Sequence, residues 1–203
     1  MRELPTMSPP QEVPQSDKPF GRGFGNSSAV VLMLLVLQLL APESTMSLRY
    51  DRAAILDGEA WRLLTGQLVH LGWTHCLLNV GGWIVGALLF PKLFARRRFW
   101  LEVGAMAIGV GLGLLLLDPK LAHYVGLSGV IYGVLVRGSL PSAGRDWRMT
   151  TLLLLIVGRL ASQVWVGPGA SEEEMIGGAI IVSAHVYGAM MGALLSLGPR
   201  VLR

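Results

Sequence analysis

Five residues in this sequence are of the right type and spacing to act together on a carbonyl group. Ser128 lies in Val125-Gly-Leu-Ser-Gly-Val-Ile-Tyr-Gly133, between glycines at the head of an apolar stretch. A hydroxyl is a weak nucleophile until a neighbouring base takes its proton. His185, in Ser183-Ala-His-Val-Tyr-Gly188, can be that base. It shares a helical face with Gly188 and Gly192, so the face carrying the imidazole is also one that another helix can approach closely. His75 and Asn79, four positions apart, share a second face. With the Ser128 backbone N–H they could donate to the oxyanion that forms when serine attacks a carbonyl, or they could form a polar clamp between helices. Tyr132 follows Ser128 by one turn and could stack on His185 or simply fill the core. A serine between glycines is by itself a weak signal, and Gly126 and Gly129 would also serve plain helix packing.

What the sequence lacks narrows the chemistry. Asp118 precedes the serine segment, and Glu172, Glu173 and Glu174 fall in a different loop. This favours a Ser-His dyad, its imidazole oriented by packing, over a Ser-His-Asp triad. Cys76 follows His75 directly and so points to another face. No His-Glu-x-x-His motif and no Gly-rich phosphate loop ending in Lys-Ser/Thr is present, so neither a metal nor another cofactor is expected. His70 reads as a brace of an external segment and His123 as a loop residue.

The elements that must position these groups are membrane helices. The chain has 203 residues, of which 52% are hydrophobic and only 15% charged, with a mean hydropathy of +0.54. It is too apolar for a soluble domain of this length. The net charge of +4 does not indicate nucleic acid, because the basic residues separate apolar runs instead of forming an aromatic-interleaved face. Residues 1–26, rich in Pro, Gly, Ser and Gln, read as a disordered cytoplasmic tail, and residues 27–203 as one membrane domain. Apolar runs at 27–41, 73–93, 99–117, 126–140, 149–166 and 175–197 predict an all-α bundle of six transmembrane helices. Twelve of the 17 basic residues fall on the side of the termini. The positive-inside rule then makes both termini cytoplasmic. Residues 46–72 lie outside, at the membrane interface. In this topology Ser128 and His185 meet only if the 118–125 loop lowers the serine into the membrane, which requires a loop buried in protein or lining water.

With these motifs in order, the chain resembles the rhomboid family of intramembrane serine proteases. The resemblance rests on Trp61-Arg62, His70, His75-x-x-x-Asn79, Gly126-Leu-Ser128-Gly and Ala184-His185-x-x-Gly188-x-x-x-Gly192. It implies Ser128 as nucleophile, His185 as base, and His75, Asn79 and the Ser128 amide as oxyanion donors. Tyr132 is implied as the stacking partner, with Gly126, Gly188 and Gly192 supporting. Within the family the chain looks most like the rhombosortases, from Trp61-Arg-Leu-Leu-Thr-Gly-Gln-Leu-Val-His70-Leu-Gly-Trp and Gly177-Gly-Ala-Ile-Ile-Val-Ser-Ala-His185-Val-Tyr-Gly. That likeness implies a bacterial inner-membrane enzyme opening to the periplasm. Its partners would be transmembrane proteins with a C-terminal Gly-Gly anchor. Two other classes explain parts of the pattern. An inactive rhomboid-like scaffold would bind transmembrane helices without needing both Ser128 and His185, and a proton-path transporter would use the histidines but not the serine and its glycines.

Overall fold

The computed structural model describes residues 19–197. The expected tail at 1–26 lies outside the described residues up to position 18. The helix α1, Pro19–Leu39, begins ahead of residue 27. It does so because its polar first turns have somewhere to pack. The Asn26 side-chain amide donates to Phe94 O at 2.7 Å, and Gly23 faces the backbone at Pro91 so closely that a Cβ would sit 3.1 Å from Pro91 O.

After α1 come α2 (Glu43–Leu48), the two-residue strand β1 (Tyr50–Asp51), α3 (Arg52–Leu56) and α4 (Arg62–Thr65). They form a compact segment over the region that the sequence leads one to expect outside, at 46–72. Asp51 caps α3 by accepting from the Ala54 N–H at 3.3 Å. Arg62 pins α4 to the segment before it, donating to Arg49 O at 3.0 Å and to Glu59 at 2.5 Å. The long apolar helices α5 (Trp73–Leu89) and α7 (Phe99–Leu117) follow, separated by the short α6 (Pro91–Phe94). Pro91 cannot continue α5, since it has no N–H to donate to the preceding turn.

The strand β2 (His123–Tyr124) then pairs antiparallel with β1, Tyr50 opposite Tyr124 and Asp51 opposite His123. It leads into α8 (Ser128–Ser139). The remaining elements are α9 (Trp147–Trp165), α10 (Ala170–Ile176) and α11 (Val182–Leu197). The single run read at 175–197 is thus divided. Gly177 ends α10 in the left-handed conformation, φ 82°, where a residue with a Cβ is disfavoured, and α10 folds back at 97° to α9. Consequently His185 sits in the first turn of α11 instead of ten residues along a continuous helix.

Among the described residues, 21–39 and 99–117 are by themselves long and apolar enough to cross a bilayer. The bent pair α9 and α10 makes a third candidate, and α5 and α11 are shorter apolar helices. Leu88, Leu101, Leu116, Leu154 and Trp165 lie exposed on the outer faces of these helices. In water such a surface would be an aggregation hazard, and in lipid it is the expected boundary. The protein is a multi-pass membrane protein.

The bundle is built around α8, whose Val130 is completely buried. Its closest partner is α11, and the contact is made of glycine. A Cβ on Gly129 would stand 2.7 Å from Ala184 O, and one on Gly133 would stand 2.8 Å from Gly188 O. A Cβ on Gly188 or Gly192 would overlap the backbone of Gly129 or Gly133 outright. With no hydrophobic driving force between helices in lipid, such close backbone approach supplies the packing attraction.

Candidate active site

The segment before α8 decides where Ser128 stands, and it is tied to the elements between α1 and α5 at each step. The Arg52 N–H donates to Ala122 O at 2.9 Å, and the Gly126 N–H donates to Gly66 O at 3.0 Å. The Tyr124 hydroxyl, fully enclosed, donates to Gly126 O at 2.7 Å. Burial raises the Tyr124 pKa, which keeps it a donor. These backbone groups of the non-helical segment are thus satisfied by protein, the condition a loop within a membrane must meet. Gly126 has φ +122°, and a Cβ there would lie 2.8 Å from Cε1 and Nε2 of His75. Glycine is therefore demanded twice, by conformation and by the nearness of His75.

The helix α8 begins at Ser128, and Ser128 Oγ lies 2.9 Å from His185 Nε2. The Tyr132 ring stacks on the imidazole with centroids 4.7 Å apart and planes 29° from parallel. His185 is buried, yet Ser128 is partly open to a cavity of about 420 Å³ whose walls include His75, Asn79, Arg49 and Ile180. On α5, the Asn79 side-chain amide donates to His75 O at 2.9 Å, leaving one amide hydrogen uncommitted. His75 Nδ1 accepts a long 3.5 Å hydrogen bond from the Leu71 N–H. Nε2 is the nitrogen that faces Gly126 beside the serine, where a proton on it could be donated. Ser128, His185, His75, Asn79 and Tyr132 are thus brought to one place, and Gly126, Gly188 and Gly192 are the close contacts that let them meet.

The remaining histidines make no hydrogen bond to Ser128 or His185. His70 is buried edge-on against His75, ring centroids 5.0 Å apart. Burial, and then the neighbouring His75, pushes its pKa down to about 3. His123 is half exposed and lies 3.2 Å from Asp51. Asp51 is itself held below the usual carboxylate range, chiefly by the Ala54 N–H. Cys76 is buried with its thiol toward Leu34 O, away from the cavity. Among the described residues no group of His, Cys, Asp and Glu could hold a metal ion.

Two features were not legible in the sequence. Arg159, inside the apolar run at 149–166, is paired with Glu172 across the bend between α9 and α10. Gln163, one turn after Arg159, turns its buried side chain inward, with Oε1 3.0 Å from His185 Nδ1. The only hint was a glutamine on the strongly amphipathic helix α9, and nothing assigned it to His185.

Fold and site together define a polytopic membrane protein with the geometry of a serine hydrolase. The Rhomboid domain matches residues 57–199, and the chain belongs to the rhomboid family. It is 29% identical over 150 residues to YdcA of Bacillus subtilis (strain 168), named as an inferred rhomboid protease. That match covers 70% of this chain and 68% of YdcA. The activity that follows is that of a rhomboid-type serine protease acting in the membrane.

Proposed function

We propose that this protein is an intramembrane serine endopeptidase working through a Ser128–His185 dyad. It would cleave membrane-anchored proteins near the outer face of a bacterial inner membrane. The single observation that carries the reading is the 2.9 Å approach of His185 Nε2 to Ser128 Oγ at the wall of the cavity. In the reaction Ser128 Oγ attacks the substrate carbonyl carbon while its proton passes to His185 Nε2. The carbonyl oxygen becomes an oxyanion, stabilised by the Ser128 N–H, the free amide hydrogen of Asn79 and the Nε2–H of His75. The imidazolium gives its proton to the leaving amine as the C–N bond breaks, leaving an acyl-enzyme. Water entering through the cavity attacks the acyl carbon while its proton passes to His185, and the ester C–O bond then breaks as His185 returns that proton to Ser128 Oγ, releasing the new carboxyl terminus.

The six-span reading with both termini cytoplasmic is supported by the six principal helices and by where the charges fall. Arg96 and Arg137 flank Glu102 at 3.6 and 3.5 Å on the side assigned to the cytoplasm. The substrate reading follows the rhombosortase likeness: an anchor of Gly-Gly, a membrane helix and basic residues. A substrate helix must unwind before its peptide bond reaches Ser128. Two glycines ease this, each costing helix stability by about 1 kcal/mol relative to alanine.

The test is co-expression with a reporter carrying such a C-terminal anchor, and with a matched anchor in which Gly-Gly is replaced by Leu-Leu. Cleavage of the first reporter on the outer side, lost in Ser128→Ala and in His185→Ala at unchanged protein levels, is expected. Full cleavage by Ser128→Ala would sink the nucleophile assignment, and equal cleavage of both reporters would sink the anchor preference. A cytoplasm-specific fluorescent domain fused after Arg203 reads the topology in the same cells, and a dark fusion would reverse it.

A further inference from the structure

We propose that Gln163 is a positioning residue for His185, taking at Nδ1 the place that a carboxylate takes in a triad and fixing the productive tautomer without supplying charge. The inference rests on the reading of His185 as the base for Ser128. Gln163 lies on α9, is 4% exposed, and presents Oε1 at 3.0 Å from His185 Nδ1. An amide oxygen only accepts hydrogen bonds, so the partner nitrogen must carry the proton. With the proton on Nδ1, Nε2 holds a lone pair, and the Ser128 hydroxyl at 2.9 Å is the donor to it. That is the arrangement a general base needs. The other tautomer would point an N–H at Ser128 Oγ and could not take the serine's proton, its lone pair then lying at Nδ1.

The imidazole is then held on three sides: Ser128 at Nε2, Gln163 at Nδ1 and the Tyr132 ring on its face. Glu172, the acidic side chain on α10 nearest this region, is engaged by Arg159 and does not occupy the Nδ1 position. When Ser128 gives up its proton, the imidazolium keeps its Nδ1–H bond to Gln163 throughout, so no reorganisation is needed at that end. In a Ser-His-Asp protease, presenting the wrong tautomer costs about 10⁴ in rate. With a neutral acceptor and the Tyr132 stack still in place, a smaller loss is expected here.

The experiment compares the purified full chain in detergent as wild type, Gln163→Leu, Gln163→Glu and Ser128→Ala. The first readout is labelling by a fluorophosphonate probe, resolved into the maximal rate of inactivation and the half-saturating probe concentration. Gln163→Leu is expected to lower the maximal rate by roughly 10- to 100-fold with half-saturation within about twofold of wild type. Gln163→Glu keeps an acceptor oxygen in place and is expected to restore most of that rate. A merely structural glutamine would not give this split, nor rescue by the conservative variant. The second readout, 15N NMR of labelled histidine, is independent of activity. The wild type should show His185 protonated at Nδ1, and Gln163→Leu a mixture of tautomers. A wild type protonated at Nε2, or a Gln163→Leu protein with unchanged maximal rate and tautomer, overturns the proposal. Equal labelling of wild type and Ser128→Ala would instead overturn the nucleophile assignment, and the NMR result would still decide the role of Gln163.

Discussion

At the scale of single residues, catalysis depends on which hydrogens are free. Asn79 spends one amide hydrogen on His75 O, one turn back along its own helix, and keeps the other for the cavity it lines. Asn79→Ala removes the donor while leaving helix α5 an equally good helix. Turnover is expected to fall by about 10²-fold with little change in KM, because an oxyanion donor binds the transition state and not the ground state. Steady-state kinetics on a cleavable anchor peptide check this. An unchanged kcat would make Asn79 a packing residue, the clamp that its spacing also allowed.

At the scale of elements, the α8–α11 contact is the weak point for mutation, because it has no slack. The backbone of Gly129 occupies the space a Gly188 side chain would need. Gly188→Ala should force the two helices apart at a cost of about 1–3 kcal/mol. Activity should fall with thermal stability, since the same displacement separates Ser128 from His185. Gly158, on α9, has nothing within 4 Å of where its Cβ would be. Gly158→Ala, matched in chemistry and helical setting, should leave both unchanged or slightly raise stability. Parallel melting curves in detergent distinguish the two, and an equal shift for both would mean that helix propensity, not close approach, governs this position.

At the scale of the whole molecule, folding encloses an ionisable group that no mechanistic step uses. Neither ring nitrogen of His70 has a hydrogen-bond partner among the described residues. Its pKa falls from 6.5 to about 3 on folding. The unfolded chain therefore binds a proton at His70 below about pH 6.5, while the folded protein refuses it until about pH 3. The unfolded state binds more protons across that window, so stability is full above pH 6.5 and drops as pH falls through it. Thermal unfolding followed from pH 7 to pH 4 should show a smaller acid-dependent drop for His70→Gln than for the wild type. Superimposable pH dependences would show that His70 does not set this slope.

Much of the molecule was determined locally. The apolar runs at 99–117 and 149–166 predict helices that the fold contains with nearly the same ends, because hydropathy and helix periodicity are properties of a single segment. The spacings from His75 to Asn79 and from His185 to Gly188 put each pair on one face for the same reason. The break at Gly177-Gly178 was readable in retrospect, as glycine at a helix end, yet the course of the chain on either side of it depends on Arg159 and Glu173. Arg159 holds Glu172, and the Glu173 carboxylate accepts from the Ile180 N–H at 2.9 Å. Gln163 was silent because no local rule ties a glutamine on one helix to a histidine 22 positions later. That pairing exists only once α9 and α11 have packed. The sequence by itself therefore determined the helices, the types of group on each face and the family resemblance, since these follow from nearest-neighbour chemistry. Only the tertiary structure decided where Ser128 stands, which nitrogen of His185 faces it and what lies against the other, since each depends on contacts between segments far apart in the chain.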